Sequence, residues 1–182
     1  MSTDHTTAQQ SQTDNVAVAV FDLAIVRYQI PEWDALPRSA RLYHLIDGDI
    51  APWRIEESSN VTTTGLHELT AELLALNAGQ GDDIDPIDTL LLGDDDSSFA
   101  TGDASLNNKV GEIQVTDQSA SGATFEVNEF LSSNQLNGET IAELGLQTAS
   151  GRLCNHAPTT TNYTKDSQIA ILFNIEITMS DT

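Results

Sequence analysis

"SQIAILFNIEIT", residues 167–178, decides the fold. Ile169, Ile171, Phe173, Ile175 and Ile177 recur at every second position, the spacing that puts side chains on one face of a β-strand. So many large apolar groups on one face require a core beneath them. "GEIQVTD" (111–117) and "ATFEVNEFL" (123–131) alternate in the same way and read as two strands joined by the glycine-containing turn "QSASG". "TIAELGLQT" (140–148) and "RLCNHAP" (152–158) read as a hairpin around Ser150-Gly151. In it Leu144 and Leu146 point to one face, and Ile141, Glu143 and Gly145 to the other. Gly145 removes a side chain where another backbone or an aromatic ring comes close. Gly151 supplies a positive φ for the turn. "TLLLG" (89–93) is a short buried strand.

The first third is less regular. "VAVAVFDLAIVRYQI" (16–30) is β-rich and apolar on both faces in its first half, as in a strand covered on both sides, here by another chain. "PEWDALPRSA" (31–40) is a loop punctuated by Pro31 and Pro37. "RLYHLIDGD" (41–49) reads as a strand ending in an Asp-Gly turn, with "APWRIEE" (51–57) as its hairpin partner. A helix is expected over about 62–78: Leu66, Leu69, Leu73 and Leu76 recur at three- and four-residue spacing, Thr63 or Thr64 caps the start, and Asn77 to Gly79 close the end. "ASLNNKV" (104–110) is expected to hold one helical turn. The fold class is mainly β: an antiparallel β-sandwich with one packed α-helix. Residues 1–15 form a flexible polar arm, and 16–182 a single β-rich domain.

Composition excludes several functions. The chain of 182 residues has 28 acidic and 7 basic side chains, a net charge of -21. Nucleic acid and anionic lipid both demand a Lys/Arg surface, so neither is an expected partner. Acids spread along the whole chain fit a surface that stays hydrated in concentrated salt, which would also screen the self-repulsion. The start of the sequence lacks the apolar run of a signal peptide, and no stretch approaches the ~20 apolar residues of a membrane span. Cys154 is the one cysteine, so no internal disulfide is possible, and it reads as a small buried residue.

Few residues point to chemistry. His5, His44, His67 and His156 lack the spacing of a zinc site. Asp82, Asp83 and Asp85, and then Asp94, Asp95 and Asp96, do not follow the ligand alternation of an EF-hand. No metal or cofactor is expected. Cys154 and His156 stand two apart, which on a regular strand shares a face, but a dyad also needs an orienting partner and a cleft. There is no Gly-x-Ser-x-Gly elbow and no phosphate-binding glycine loop. Trp33, Trp53 and Tyr43 are the only candidates for a sugar-stacking platform; core or loop anchoring is the plainer role for the tryptophans. By elimination the chain reads as a binding or structural protein, not an enzyme.

Five segments recur in a meaningful order: "NVTTTGLHELTAELLA" (60–75), "LLLGDDDSS" (90–98), "ASLNNKVGE" (104–112), "ETIAELGLQTASGRLCNHA" (139–157) and "YTKDSQIAILFNIEI" (163–177). Over about 60–178 this resembles the N-terminal, tail-collar-type module of tailed-phage fibre and baseplate proteins. The chain departs from that pattern at Asn107, Asn108 and Lys109, where Asn-Glu is usual, and at Gln147, where Phe is usual. The resemblance implies a virion structural protein assembled in the host cytoplasm. It would be a baseplate or tail-fibre adaptor forming homo-oligomers, trimers above all, against other virion proteins. The chain stops at Thr182 without a repetitive shaft, so the expected piece is the attachment hub. With the acidic composition, the expected source is a tailed virus of halophilic archaea. Candidate interface residues are Val16, Val18, Val20 and Phe21 on the leading strand, and Glu143, Gly145, Leu146 and Gly151 in the hairpin. A capsid turret or decoration protein, and a carbohydrate-binding host-surface adhesin, are the alternatives.

Overall fold

The computed structural model describes residues 15–48, 50–59, 61–66, 68 and 85–178. Its strands are β1 (Asn15–Asp22), β2 (Arg54–Ser59), β3 (Val61–Thr62), β4 (Ile87–Gly93), β5 (Lys109–Gln114), β6 (Gln118–Ser121), β7 (Thr124–Leu131), β8 (Thr140–Thr148), β9 (Asn155–Thr164) and β10 (Ile169–Thr178). They form two five-stranded antiparallel sheets, ordered β2-β1-β10-β7-β6 and β3-β9-β8-β4-β5. The chain is a mainly β sandwich, as the alternation predicts. Ile171, Phe173, Ile175 and Ile177 of β10 enter the main core, where they meet Leu90 and Leu92 of β4 and Leu144 and Leu146 of β8.

The outer side of each sheet has its own small apolar cluster. On the first sheet, α1 (Leu23–Gln29), a 3₁₀ turn (Trp33–Ala35) and α2 (Arg38–Ile46) cover Phe21, Phe130, Ala170 and Leu172. On the second, Leu106 and Leu153 pack on Leu91.

Residues 16–30 and 41–49 depart from the sequence reading. The leading strand stops at Asp22, whose carboxylate accepts the Ala24 N–H at 2.8 Å and caps α1. Leu23 and Val26 then bury the inward side of that helix. Residues 41–49 are not a strand: Arg38–Ile46 is helical. Leu42 and Leu45, three apart, both reach the core cluster in a helix, whereas a strand would point them to opposite faces. Residues 104–108 form bends and irregular backbone rather than a helical turn. The strands at 109–114 and 124–131 are not a hairpin either. They belong to different sheets, and the chain crosses between them at 115–117 before β6 pairs with β7.

Residues 64–66 and 68 are helical, and Leu66 is buried in the main core. The rest of the predicted helix, with Leu69, Leu73 and Leu76, lies outside the described residues, as does the 1–14 stretch of the N-terminal arm.

Candidate functional site

Glu143 faces outward from β8 yet has no exposed surface, because the 94–108 loop folds over it. The loop is held by hydrogen bonds to the carboxylate: Asn108 N–H donates to Oε1 at 2.8 Å and Asn107 N–H to Oε2 at 3.0 Å. Beneath the side chain is Gly93, its register partner on β4. A Cβ there would fall on the Glu143 carboxylate and lie 2.7 Å from the Asn108 carbonyl oxygen, so only glycine lets the carboxylate cross the strand.

His156 completes the cluster. Its Nε2 is 2.6 Å from Glu143 Oε2 and its Nδ1 is 2.7 Å from Asp103 Oδ2, while Phe99 meets the ring edge-on at a 4.5 Å centroid distance. The imidazole thus bridges the two carboxylates, one at each ring nitrogen. Burial works to raise the Asp103 pKa, but the Ala100 N–H and the imidazole outweigh it and hold the carboxyl below its ordinary value. Both ring nitrogens are taken by carboxylates, which leaves neither to accept a proton from a nucleophile. The arrangement is built to tie a loop to a sheet. Among the described residues, no three His, Cys, Asp or Glu side chains are grouped to hold a metal ion.

Cys154 and His156 do not share a face. Leu144 pairs with Ala157 and Gln147 with Leu153, so the Leu153–Ala157 side carries one extra residue, a β-bulge. The Asn155 side chain fills the gap and accepts the Leu146 N–H at 2.6 Å. Cys154 consequently turns into the main core, where burial pushes its thiol up to about 12. A second irregularity, between Ile141 and Glu143, places Ile141 in the core with Leu144 and Leu146, not opposite them as period two predicts.

Val16, Val18 and Val20 lie in the main core and Phe21 under the helical layer, all at most 2% exposed. Both edges of their strand are paired, with β10 and β2, so the chain itself supplies the cover that the sequence assigned to a neighbour. Leu146 is likewise core. Gly145 does sit at a close approach: an added Cβ would lie 3.0 Å from the Asn155 carbonyl oxygen and 2.7 Å from Leu153. Gly151 has φ +93 and closes the hairpin. Asp85, reaching from before β4, accepts the Ser150 N–H at 2.9 Å and its hydroxyl.

Sequence reasoning missed a second buried carboxylate. Glu129 accepts from Arg38, from the Thr116 N–H and hydroxyl, and from the Asp117 N–H. It thereby fixes the crossing between the sheets. Lys165 is fully buried too, and its ammonium donates to Asn137 Oδ1 at 3.1 Å and to the Asp166 carbonyl. Burial lowers its pKa. Of the three aromatic candidates, Trp33 is buried, whereas Trp53 and Tyr43 are exposed.

No protein-family model matches the chain, and neither a curated protein nor a solved structure matches it.

Proposed function

We propose that this chain is a structural part of a virus particle: a baseplate or tail-fibre adaptor of the tail-collar kind, working by shape and assembly rather than by catalysis. The observation that carries this reading is where the patterned segments meet. Gly65 of the first segment lies against the Leu153 carbonyl, leaving no room for a Cβ. Gly93 of the second lies under Glu143 of the fourth, and Asn107 and Asn108 of the third donate to that same carboxylate. The lysine of the fifth segment, Lys165, is buried at the turn that leads into β10. An accidental pattern has no reason to bring its positions into contact; a pattern that encodes one packing arrangement does.

The role fits a rigid acidic block in a homo-oligomeric hub of a tailed virus from salt-rich surroundings. Labelled-antibody electron microscopy on intact particles from the source culture tests it. Label at the tail tip is the expected result. Label over the head would make the chain a turret or decoration protein, and particles without label would sink the virion assignment. The exposed Trp53 and Tyr43 favour the adhesin as second reading. That reading expects binding to a glycan array, lost on Trp53→Ala.

A further inference from the structure

We propose that the outward face of the α1–α2 layer and the adjoining β2 is a self-association surface, on which a second copy of this chain docks. Among the described residues, the exposed large apolar side chains are Ile25, Tyr28, Tyr43, Ile46, Trp53 and Ile55. All six lie between residues 25 and 55, in the layer over the first sheet and the strand beside it. The acidic remainder of the described surface exposes none.

Charge follows the same division. Of the 28 acidic and 7 basic residues in the chain, residues 23–59, which include the whole of β2, hold six acidic and four basic, so this stretch carries -2 while the rest carries -19. Part of its charge is also neutralised locally: Arg27 Nε donates to Asp34 at 2.9 Å, and Arg38 pairs with the buried Glu129. Ile46 and Ile55 frame a cleft of about 330 Å³, floored by Ala17, Ala19 and Leu172 and lined on its polar side by Glu126, Asn128 and Asn174. The floor is a sheet face that the helices leave uncovered. Exposed Tyr, Trp and Arg beside apolar residues with little net charge is the composition of a protein interface.

Charge also selects the occupant. Two bodies of this net charge repel wherever their acidic surfaces face each other, and approach most easily where neither presents excess carboxylates. A second copy brings the same weakly charged, apolar-rich face and keeps both acidic bodies pointing outward. A cationic partner would instead be drawn to the acidic remainder. The inference rests on this surface alone and stands apart from the virion assignment.

Sedimentation of the full chain in concentrated KCl tests it. The wild-type protein is expected to run at a multiple of the 19.6 kDa single chain. Ile46→Asp combined with Ile55→Asp is expected to run as the single chain, with an unchanged far-ultraviolet circular dichroism spectrum. Tyr28→Ser, at a side chain 87% exposed and outside the core, is expected to weaken association by about tenfold; it decides the matter if the double variant misfolds. Ser119→Asp, on the exposed β6, is expected to leave the oligomer intact. A wild-type chain that stays single at every concentration would overturn the proposal. So would an oligomer that survives the changes at 28, 46 and 55, or one that dissociates on Ser119→Asp alone.

Discussion

Glu129 and Glu143 are both without exposed surface, and each ties down a connecting segment by accepting two consecutive backbone N–H groups. Glu129 holds the crossing between the sheets and Glu143 the loop over the second sheet. They differ in the partner that offsets the charge. Glu129 has Arg38, a guanidinium that keeps its charge at every pH a protein meets. Glu143 has His156, which is shared with Asp103. The crossing is thus held against a single guanidinium from the helical layer, the loop against an imidazole that bridges two carboxylates.

Removing Glu143 should break that comparison most sharply. Glu143→Ala strips the acceptor from two N–H groups and an imidazole in a sealed site, and is expected to lower unfolding free energy by about 3–5 kcal/mol. Chemical denaturation at fixed KCl measures it; a change under about 1 kcal/mol would mean that the carboxylate is not holding the loop. Arg38→Met leaves Glu129 its remaining donors, so the expected loss is smaller, about 1.5–3 kcal/mol. Equal losses at the two sites would erase the distinction between them. Gly93→Ala, which forces the Glu143 side chain to move, is expected to destabilise by about 1–3 kcal/mol. Gly102→Ala, with no atom within 4 Å of the added carbon, should leave the melting temperature unchanged.

The smallest effect expected is a pH dependence. The Asp103 carboxyl is held below its ordinary value of 3.8, so the folded chain binds that proton more weakly than the unfolded one. Its contribution is therefore complete above the ordinary value and fades as pH falls through it toward the folded value. Asp103→Asn should flatten this acid limb in a series of melting temperatures against pH. An unaltered limb would show that the Asp103 carboxylate, with its Ala100 and His156 contacts, contributes nothing.

The strands that read correctly are those whose inward face carries a long run of large apolar side chains at every second position or whose turn is marked by glycine. β10 and β7 alternate strongly enough for period two to be unmistakable, and the β8–β9 hairpin had its turn glycine as well. Residues 38–46 were misread because two leucines among polar residues fit either period over so short a span; burial of Leu42 and Leu45 on the same side decided for helix. The face of Ile141 and that of Cys154 were misread because each lies beside an irregularity, and a bulge reverses every parity argument beyond it. Glu143 stood out in the sequence, and so did the close approach at Gly145. Asp103 and Glu129 did not: among 28 acidic residues, nothing local marks either as different. Their roles come from segments distant in the chain, and the closest sequence signal was the tight glycine at the end of β4.

β1 and β10 pair along their whole lengths, from Asn15 opposite Glu176 to Asp22 opposite Ile169. During synthesis the apolar run "VAVAVF" leaves the ribosome long before β10, the strand that completes it on one edge. Until then the β10-facing edge of β1 is an unpaired apolar edge of the kind that recruits other chains into aggregates. Pairing across such a separation also carries a large loop-closure cost and slows folding. Translation therefore sets a waiting time for this protein, and whatever shields residues 16–21 in that interval governs how much of it reaches the native state.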